Sequence, residues 1–315
     1  MKIKTKNEPK AKIKLVAGSA FAIETAPHLP SMHQVNISIA KRGSFKTTAV
    51  SNLLRMYKET GTLDRCLIIS PTFFSNRKLM EQLGINEEDV FTDPDEVGLI
   101  EKLIAICDEE RDAFVKWKQD KIKYDEVMKR MKSGYAPITD EHLLQFYDPA
   151  TNTFKMPHAR YPCYHKGRPP VLAAYFDDIL GSKVANHRSL VRLVQMHRHI
   201  SALPEGGAVG ISLFFSIQSF KSQNGLNRAI RNQITSALVG RTKDRDEAKQ
   251  IAESFAGEIS PELFHEVHHM ATKDSKHDFL FVDLHPKPNH PSQFRKNFDE
   301  FMIVETGENK NVGVK

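Results

Sequence analysis

Five short apolar runs punctuate this chain, each bounded by polar or turn-forming residues. Residues 35–39 (VNISI), 65–70 (RCLIIS), 171–176 (VLAAYF), 209–217 (VGISLFFSI) and 279–284 (FLFVDL) read as β-strands. Several are nearly continuous in hydrophobicity rather than alternating, as expected of parallel strands covered on both faces. Helical stretches lie between them, at residues 47–57 and 183–200. Strands alternating with helices predict an α/β fold with a mostly parallel central sheet flanked by helices.

Residues 94–168 break this rhythm. The stretch opens as a helix, carries a dense run of Lys and Glu over 109–132, then turns Pro- and Tyr-rich. It reads as an insertion between core strands, its charged helix a solvated face. The expected organisation is a basic arm and short strand over 1–30, one domain over 31–285 with the insertion at 94–168, and a C-terminal tail over 286–315. Pro286, Pro288, Pro291 and the polar ending support the tail.

Composition changes this picture little. The chain has 315 residues, 40% hydrophobic and 27% charged, enough for a sizeable core. A net charge of +6 admits a phosphate-rich partner without requiring one. Cys66, Cys107 and Cys163 are widely spaced and read as reduced thiols. The lysines of residues 2–14 before the apolar run 15–23 imitate a signal peptide, but that run is short and broken by Gly18-Ser19. Secretion is not expected, and no run approaches the ~20 apolar residues of a membrane span.

The chemistry begins after the first strand. Ala40-Lys41-Arg42-Gly43-Ser44-Phe45-Lys46-Thr47, followed by Thr48, lies between a strand and a helix. It follows the phosphate-loop pattern G-x-x-x-x-G-K-[ST] at Lys46 and Thr47. Backbone N–H groups running into a helix N-terminus cradle anions. Lys46 then reaches the β- and γ-phosphates of a nucleotide, and the Thr47 hydroxyl ligates Mg²⁺. Ala40 and Phe45 stand where the pattern has glycines. Phe45 fits only with a negative φ and its ring turned away from the phosphates.

The third strand ends in Asp177-Asp178. The first carboxylate suits the Mg²⁺ shell, and the second suits orienting or deprotonating an attacking water. A plain pair of acids at a strand end, or a helix N-cap, is the alternative. Gln218 closes the fourth strand, where an amide can sense a γ-phosphate or position water. ATP and Mg²⁺ are the expected ligands.

Taken in order, these pieces resemble the FtsK/HerA superfamily, and within it the poxvirus-like DNA-packaging ATPases of large DNA viruses and virophages. The resemblance runs over about residues 30–285. It rests on the phosphate loop, Ser70-Pro71-Thr72, Phe176-Asp177-Asp178, Arg198-His199, Ile211-Ser212, Gln218-Ser219, Arg228 to Asn232 (RAIRN) and the strand ending at Asp283. It implies a P-loop NTPase of RecA/FtsK-like fold that hydrolyses ATP, with residues 40–48 and Lys46 on the nucleotide. Thr47 and Asp177 would hold Mg²⁺, with Asp178 as the catalytic carboxylate and Gln218 as sensor. Arg228 or Arg231 would be an arginine finger across a subunit boundary, or else a surface or DNA-phosphate contact. It further implies a homo-oligomeric ring of five or six subunits acting on double-stranded DNA, capsid or portal-site partners, and a place in the host cytoplasm or virion. Residues 221–231 and the insertion are the regions that could grip DNA.

His265-Glu266-Val267-His268-His269 satisfies the zinc-protease pattern H-E-x-x-H. No suitable third ligand follows, and Leu263, Phe264, Val267 and Met270 give the segment a core-facing stripe. A helicase, a virion-assembly ATPase, or a DNA-binding structural protein with a lapsed nucleotide site are the remaining alternatives.

Overall fold

The computed structural model describes residues 23–304, apart from 77–80, 82, 134–138, 140–144, 221–225 and 243. Of the expected basic arm and short strand over 1–30, residues 1–22 lie outside the described residues.

The first strand, β1 (Val35–Ile39), is fully buried and leads through a loop into α1 (Lys46–Glu59). Then come β2 (Arg65–Ile69), β3 (Val90–Phe91), the long helix α2 (Leu99–Ser133) and the small hairpin β4 (Tyr147–Asp148) with β5 (Thr153–Phe154). The acidic strand is β6 (Leu172–Asp177), followed by α3 (Arg188–Met196). The pair β7 (Ser201–Ala202) and β8 (Ala208–Val209) precedes β9 (Ile211–Ile217), the short α4 (Arg228–Arg231) and β10 (Ser236–Val239). Helices α5 (Arg245–Phe255) and α6 (Pro261–Thr272) lead to β11 (Leu280–Asp283), β12 (Phe294–Lys296) and β13 (Glu300–Phe301).

Among the described residues, nine strands form one sheet in the order β13-β12-β11-β10-β1-β9-β6-β2-β3. From β10 to β3 every pairing is parallel, and from β10 through β13 every pairing is antiparallel. The expected α/β architecture is the observed one. Alternate residues of each strand point to opposite faces. Ile37, Leu67, Ala174 and Phe215 join one core with α2, α3 and α5, while Ile68, Ala173, Tyr175 and Phe214 join another with α1. The connection β1–α1–β2 runs one way along the sheet and β9–α4–β10 the other. Ligands of open parallel sheets bind at such a reversal, beyond the carboxyl ends of the strands.

Four expectations need correction. The run 209–217 is not one strand: it breaks at Gly210, where a Cβ would lie 2.9 Å from the His197 carbonyl and from the His33 ring. The helix expected over 183–200 narrows to α3, with a separate 3₁₀ turn at Val184–Asn186 before it. The stretch beyond 285 does not begin as a loose tail, because β12 and β13 continue the sheet and bury Phe294 and Arg295. The three prolines occupy the turn between β11 and β12 instead. Finally, β10 was not expected at all, although it pairs directly with β1.

Helix α2 and the segment after it are tied to β2 by charge. Glu110 of α2 is fully buried and accepts from Arg65 of β2 at 2.8 Å and from Tyr161 at 2.7 Å, while Arg65 also pairs with Asp89 at 2.7 Å. Cys66, Cys107 and Cys163 are all free and buried. No helix among the described residues is long and apolar enough to cross a membrane.

Candidate functional site

The loop between β1 and α1 sits at the carboxyl edge of the sheet, beside the ends of β6 and β9. Gly43 adopts a φ of +73°, a left-handed turn that a side chain would strain. Phe45 has a φ of −118° and is 5% exposed. Its ring turns under the loop and stacks on Phe279 at 4.6 Å between centroids. Ala40, Ala49, Leu238 and Phe281 complete this small apolar cluster. The two residues that replace glycines thus pack beneath the loop and away from its mouth. Gly240 makes room for them, since a Cβ there would come within 2.5 Å of the Phe45 ring.

This packing makes a prediction contrary to the usual pattern. Phe45→Gly restores the common glycine but removes a buried aromatic, a loss of about 3–5 kcal/mol on the scale of Phe-to-Ala core substitutions. It also frees the loop backbone. Urea unfolding should register the loss, and ATP affinity should fall. A rise in affinity would mean that the ring is not the loop's anchor.

Lys46 opens α1, and its Nζ donates to the Ala40 carbonyl at 2.7 Å and the Lys41 carbonyl at 3.1 Å. The ammonium therefore bends back over its own loop. Burial lowers its pKa, opposed by Asp177 and Asp178. Thr47 donates its hydroxyl towards Asp177, 3.2 Å from Oδ2 and 3.4 Å from Oδ1. Asp177 is 3% exposed, and burial raises its pKa, opposed by hydrogen bonds from Tyr175 and Thr47. Both shifts share one origin: each charge is buried without full compensation. A polyphosphate beside Lys46 and a cation beside Asp177 would supply it.

Adjacent residues at the end of β6 point in opposite senses. Asp177 faces α1, whereas Asp178 is exposed, with a φ of +54°. The Gln218 amide, from the end of β9, donates to Asp178 Oδ1 at 2.9 Å. Because β9 lies between β1 and β6, one cleft of about 360 Å³ collects all three strand ends. Residues Arg42 to Thr48, Asp177, Asp178 and Gln218 line it. Ala40 lies beneath the loop, in the apolar cluster, and Lys41 bonds to Lys46 through its carbonyl.

Arg228 and Arg231 lie elsewhere. They flank a separate opening of about 670 Å³ with Asn232 and Glu253. Arg231 donates to the Phe220 carbonyl at 3.3 Å and sits over the Phe220 ring. The H-E-x-x-H segment is part of α6, where His268 is turned inward within hydrogen-bond reach of the Gly240 carbonyl at 2.9 Å.

Several participants escaped sequence reasoning. Ser75 joins the cleft lining alongside Thr72. His277 approaches the Ser44 carbonyl through Nδ1 at 3.2 Å. Tyr175 donates to Asp177 Oδ1 at 2.9 Å. Only Tyr175 carried a readable signal, since a residue two before an acid on a strand shares its face.

No protein-family model matches the sequence, and no curated protein matches it. Solved structures do match. B204, the DNA-packaging ATPase of Sulfolobus turreted icosahedral virus, aligns with a TM-score of 0.44 at 13% identity, over 86% of this chain and 98% of that one. The chain is similar to a viral DNA-packaging ATPase. ATPases 2 and 3 of EssC from Geobacillus thermodenitrificans align with a TM-score of 0.41 at 11% identity, over 88% of this chain and 41% of that one. The pCW3 conjugation coupling protein TcpA, solved with ATPγS, gives 0.38 at 14% identity, over 79% and 56%. The chain thus spans less than two thirds of the EssC and TcpA chains. All three TM-scores lie below 0.5, and the reading of the site rests on its geometry.

Proposed function

We propose that the cleft at the ends of β1, β6 and β9 binds Mg²⁺·ATP and hydrolyses it, and that the chain uses this turnover to move double-stranded DNA during viral genome packaging. One observation carries the hydrolase reading: Lys46, Thr47, Asp177, Asp178 and Gln218, remote in sequence, converge on a single cleft.

Each group has a role there. The orphan N–H groups at the start of α1 and the loop backbone take phosphate oxygens. Lys46 leaves its loop carbonyls and neutralises the β- and γ-phosphates. Thr47 at the start of α1 and Asp177 at the end of β6 bring hard oxygen ligands within 3.2 Å of each other, and they fit Mg²⁺. Such an ion would usually take waters and substrate phosphate oxygens as its other ligands. It therefore needs no dense protein cage, and among the described residues no group of three or more His, Cys, Asp or Glu forms one. Bound Mg²⁺ supplies neutralisation of the charge that develops on the phosphates. Asp178, at the open side of the cleft, orients or deprotonates the attacking water. Gln218, already bonded to Asp178, is placed to sense the γ-phosphate.

The motor reading rests on the ordered set of motifs from the phosphate loop to RAIRN and on the net charge of +6. An arginine that acts across a subunit boundary has to lie outside its own chain's cleft, as Arg228 and Arg231 both do. The proposed assembly is a ring of five or six copies, with capsid or portal-site proteins as partners. Contacts to duplex phosphates would be independent of sequence and weakened by salt.

Triplex displacement tests this part. A translocase strips a third strand from duplex DNA of any sequence, and does so only with hydrolysable ATP. ATP turnover without displacement, under any oligomeric condition, would leave an ATPase that is not a DNA motor.

A further inference from the structure

We infer that Tyr175 is a positioning residue for the metal: its phenol holds Asp177 Oδ1 and so leaves Oδ2 as the oxygen open to Mg²⁺ beside Thr47. The inference rests on the nucleotide-binding reading of the cleft and specifies how its cation is held.

Tyr175 and Asp177 are two apart on β6 and project from the same face of the sheet, towards α1. Ser216 of β9 stands directly opposite Asp177 in the parallel pairing. The Tyr175 hydroxyl therefore lies between the carboxylate and the serine, 2.9 Å from Asp177 Oδ1 and 2.8 Å from Ser216 Oγ. A phenol has one proton to donate. A carboxylate is the stronger acceptor, and hydrogen bonds to it are the stronger kind. The Tyr175 proton is thus committed to Asp177, and Ser216 donates to the phenol oxygen. The result is a directed chain, Ser216 to Tyr175 to Asp177, sealed inside the protein: Tyr175 is fully buried and Ser216 almost so.

The consequence concerns geometry at the open end of that chain. With Oδ1 held from below, the carboxylate cannot rotate about its Cβ–Cγ bond without breaking a buried hydrogen bond. The Thr47 hydroxyl lies 3.2 Å from Oδ2 and 3.4 Å from Oδ1, and of the two oxygens Oδ2 is the one that Tyr175 leaves open. Tyr175 is buried behind Asp177 and does not line the cleft. It acts through Asp177, as the outer partners of metal ligands do, whose removal costs roughly 10- to 100-fold in metal affinity.

The test separates metal affinity from nucleotide affinity. Binding of a fluorescent ATP derivative (mant-ATP) is measured in EDTA and then across a Mg²⁺ titration, for the intact chain, Tyr175→Phe and Ser216→Ala. Mn²⁺ in place of Mg²⁺, followed by electron paramagnetic resonance with unlabelled ATP, reads the cation directly. Tyr175→Phe keeps the ring and its packing and deletes one oxygen. Its metal-free affinity should match that of the intact chain within about two-fold, while the Mg²⁺ concentration at half-saturation rises roughly ten-fold or more. Ser216→Ala should move the same way by less, and it serves if Tyr175→Phe does not fold. Equal Mg²⁺ dependence in the intact chain and the folded variant would overturn the inference and leave the nucleotide site standing. A loss of metal-free and metal-dependent affinity together would show Tyr175 to be core packing only, which also overturns it. An intact chain whose mant-ATP affinity ignores Mg²⁺ would overturn the metal site itself, and this inference with it.

Discussion

Lys46→Ala should abolish ATP turnover, with a fall of about a hundred- to a thousand-fold or more. The side chain is the one cation rooted in the first turn of α1, and its ammonium already sits at the loop, on the Ala40 and Lys41 carbonyls. When phosphates arrive, those carbonyl bonds are exchanged for charge-assisted ones, which are about twice as strong as neutral hydrogen bonds. Alanine removes that exchange. It leaves the fold intact, because Lys46 is not part of the apolar clusters around the loop. Thermal denaturation makes the distinction: the variant should melt near the intact chain without ligand, yet lose the stabilisation that saturating Mg²⁺·ATP confers on the intact chain. Turnover that survives in Lys46→Ala would place the chemistry elsewhere.

Asp178→Asn should behave differently. Here nucleotide and Mg²⁺ should bind almost as before, while turnover falls by about a hundred-fold or more, the usual contribution of a positioned general base. The reason is the split at the end of β6. Asp177 points inward to Thr47, and Asp178 points outward, where it accepts from Gln218. Asparagine keeps the size and a hydrogen-bonding partner for Gln218 but cannot take a proton. Binding measured beside single-turnover hydrolysis tells the two carboxylates apart. If Asp178→Asn loses Mg²⁺ binding and keeps the chemical step, the roles of the two acids are exchanged.

Much of this site was legible in the sequence because its parts obey local rules. Lys46-Thr47 after a buried strand, and an apolar run ending in two acids, need no knowledge of tertiary contacts to be read. Gln218 could be placed for the same reason, at the end of a strand. What could not be read depends on partners far along the chain. Phe45 looks like a defect in the loop until Phe279, more than two hundred residues later, provides the surface it stacks on. β10 is a four-residue run too short to stand out, and it becomes a strand because β1 and β11 pair with it on either side. β12 and β13 sit in a polar, proline-rich context that resembles a tail, and only their pairing onto β11 reveals them. Gly210, one residue into an apolar run, marks the point where β8 ends and β9 begins. Arg228 and Arg231 lie away from the cleft, around the opening shared with Phe220 and Glu253.

The measurement that bears most directly on the cleft is phosphate release from ATP by the intact chain, with Mg²⁺ present or chelated, and with duplex DNA added or withheld. The expected result is turnover that requires Mg²⁺ and rises with DNA. No turnover in any assembled state, with DNA binding intact, would contradict it and mark the cleft as a nucleotide site that no longer works.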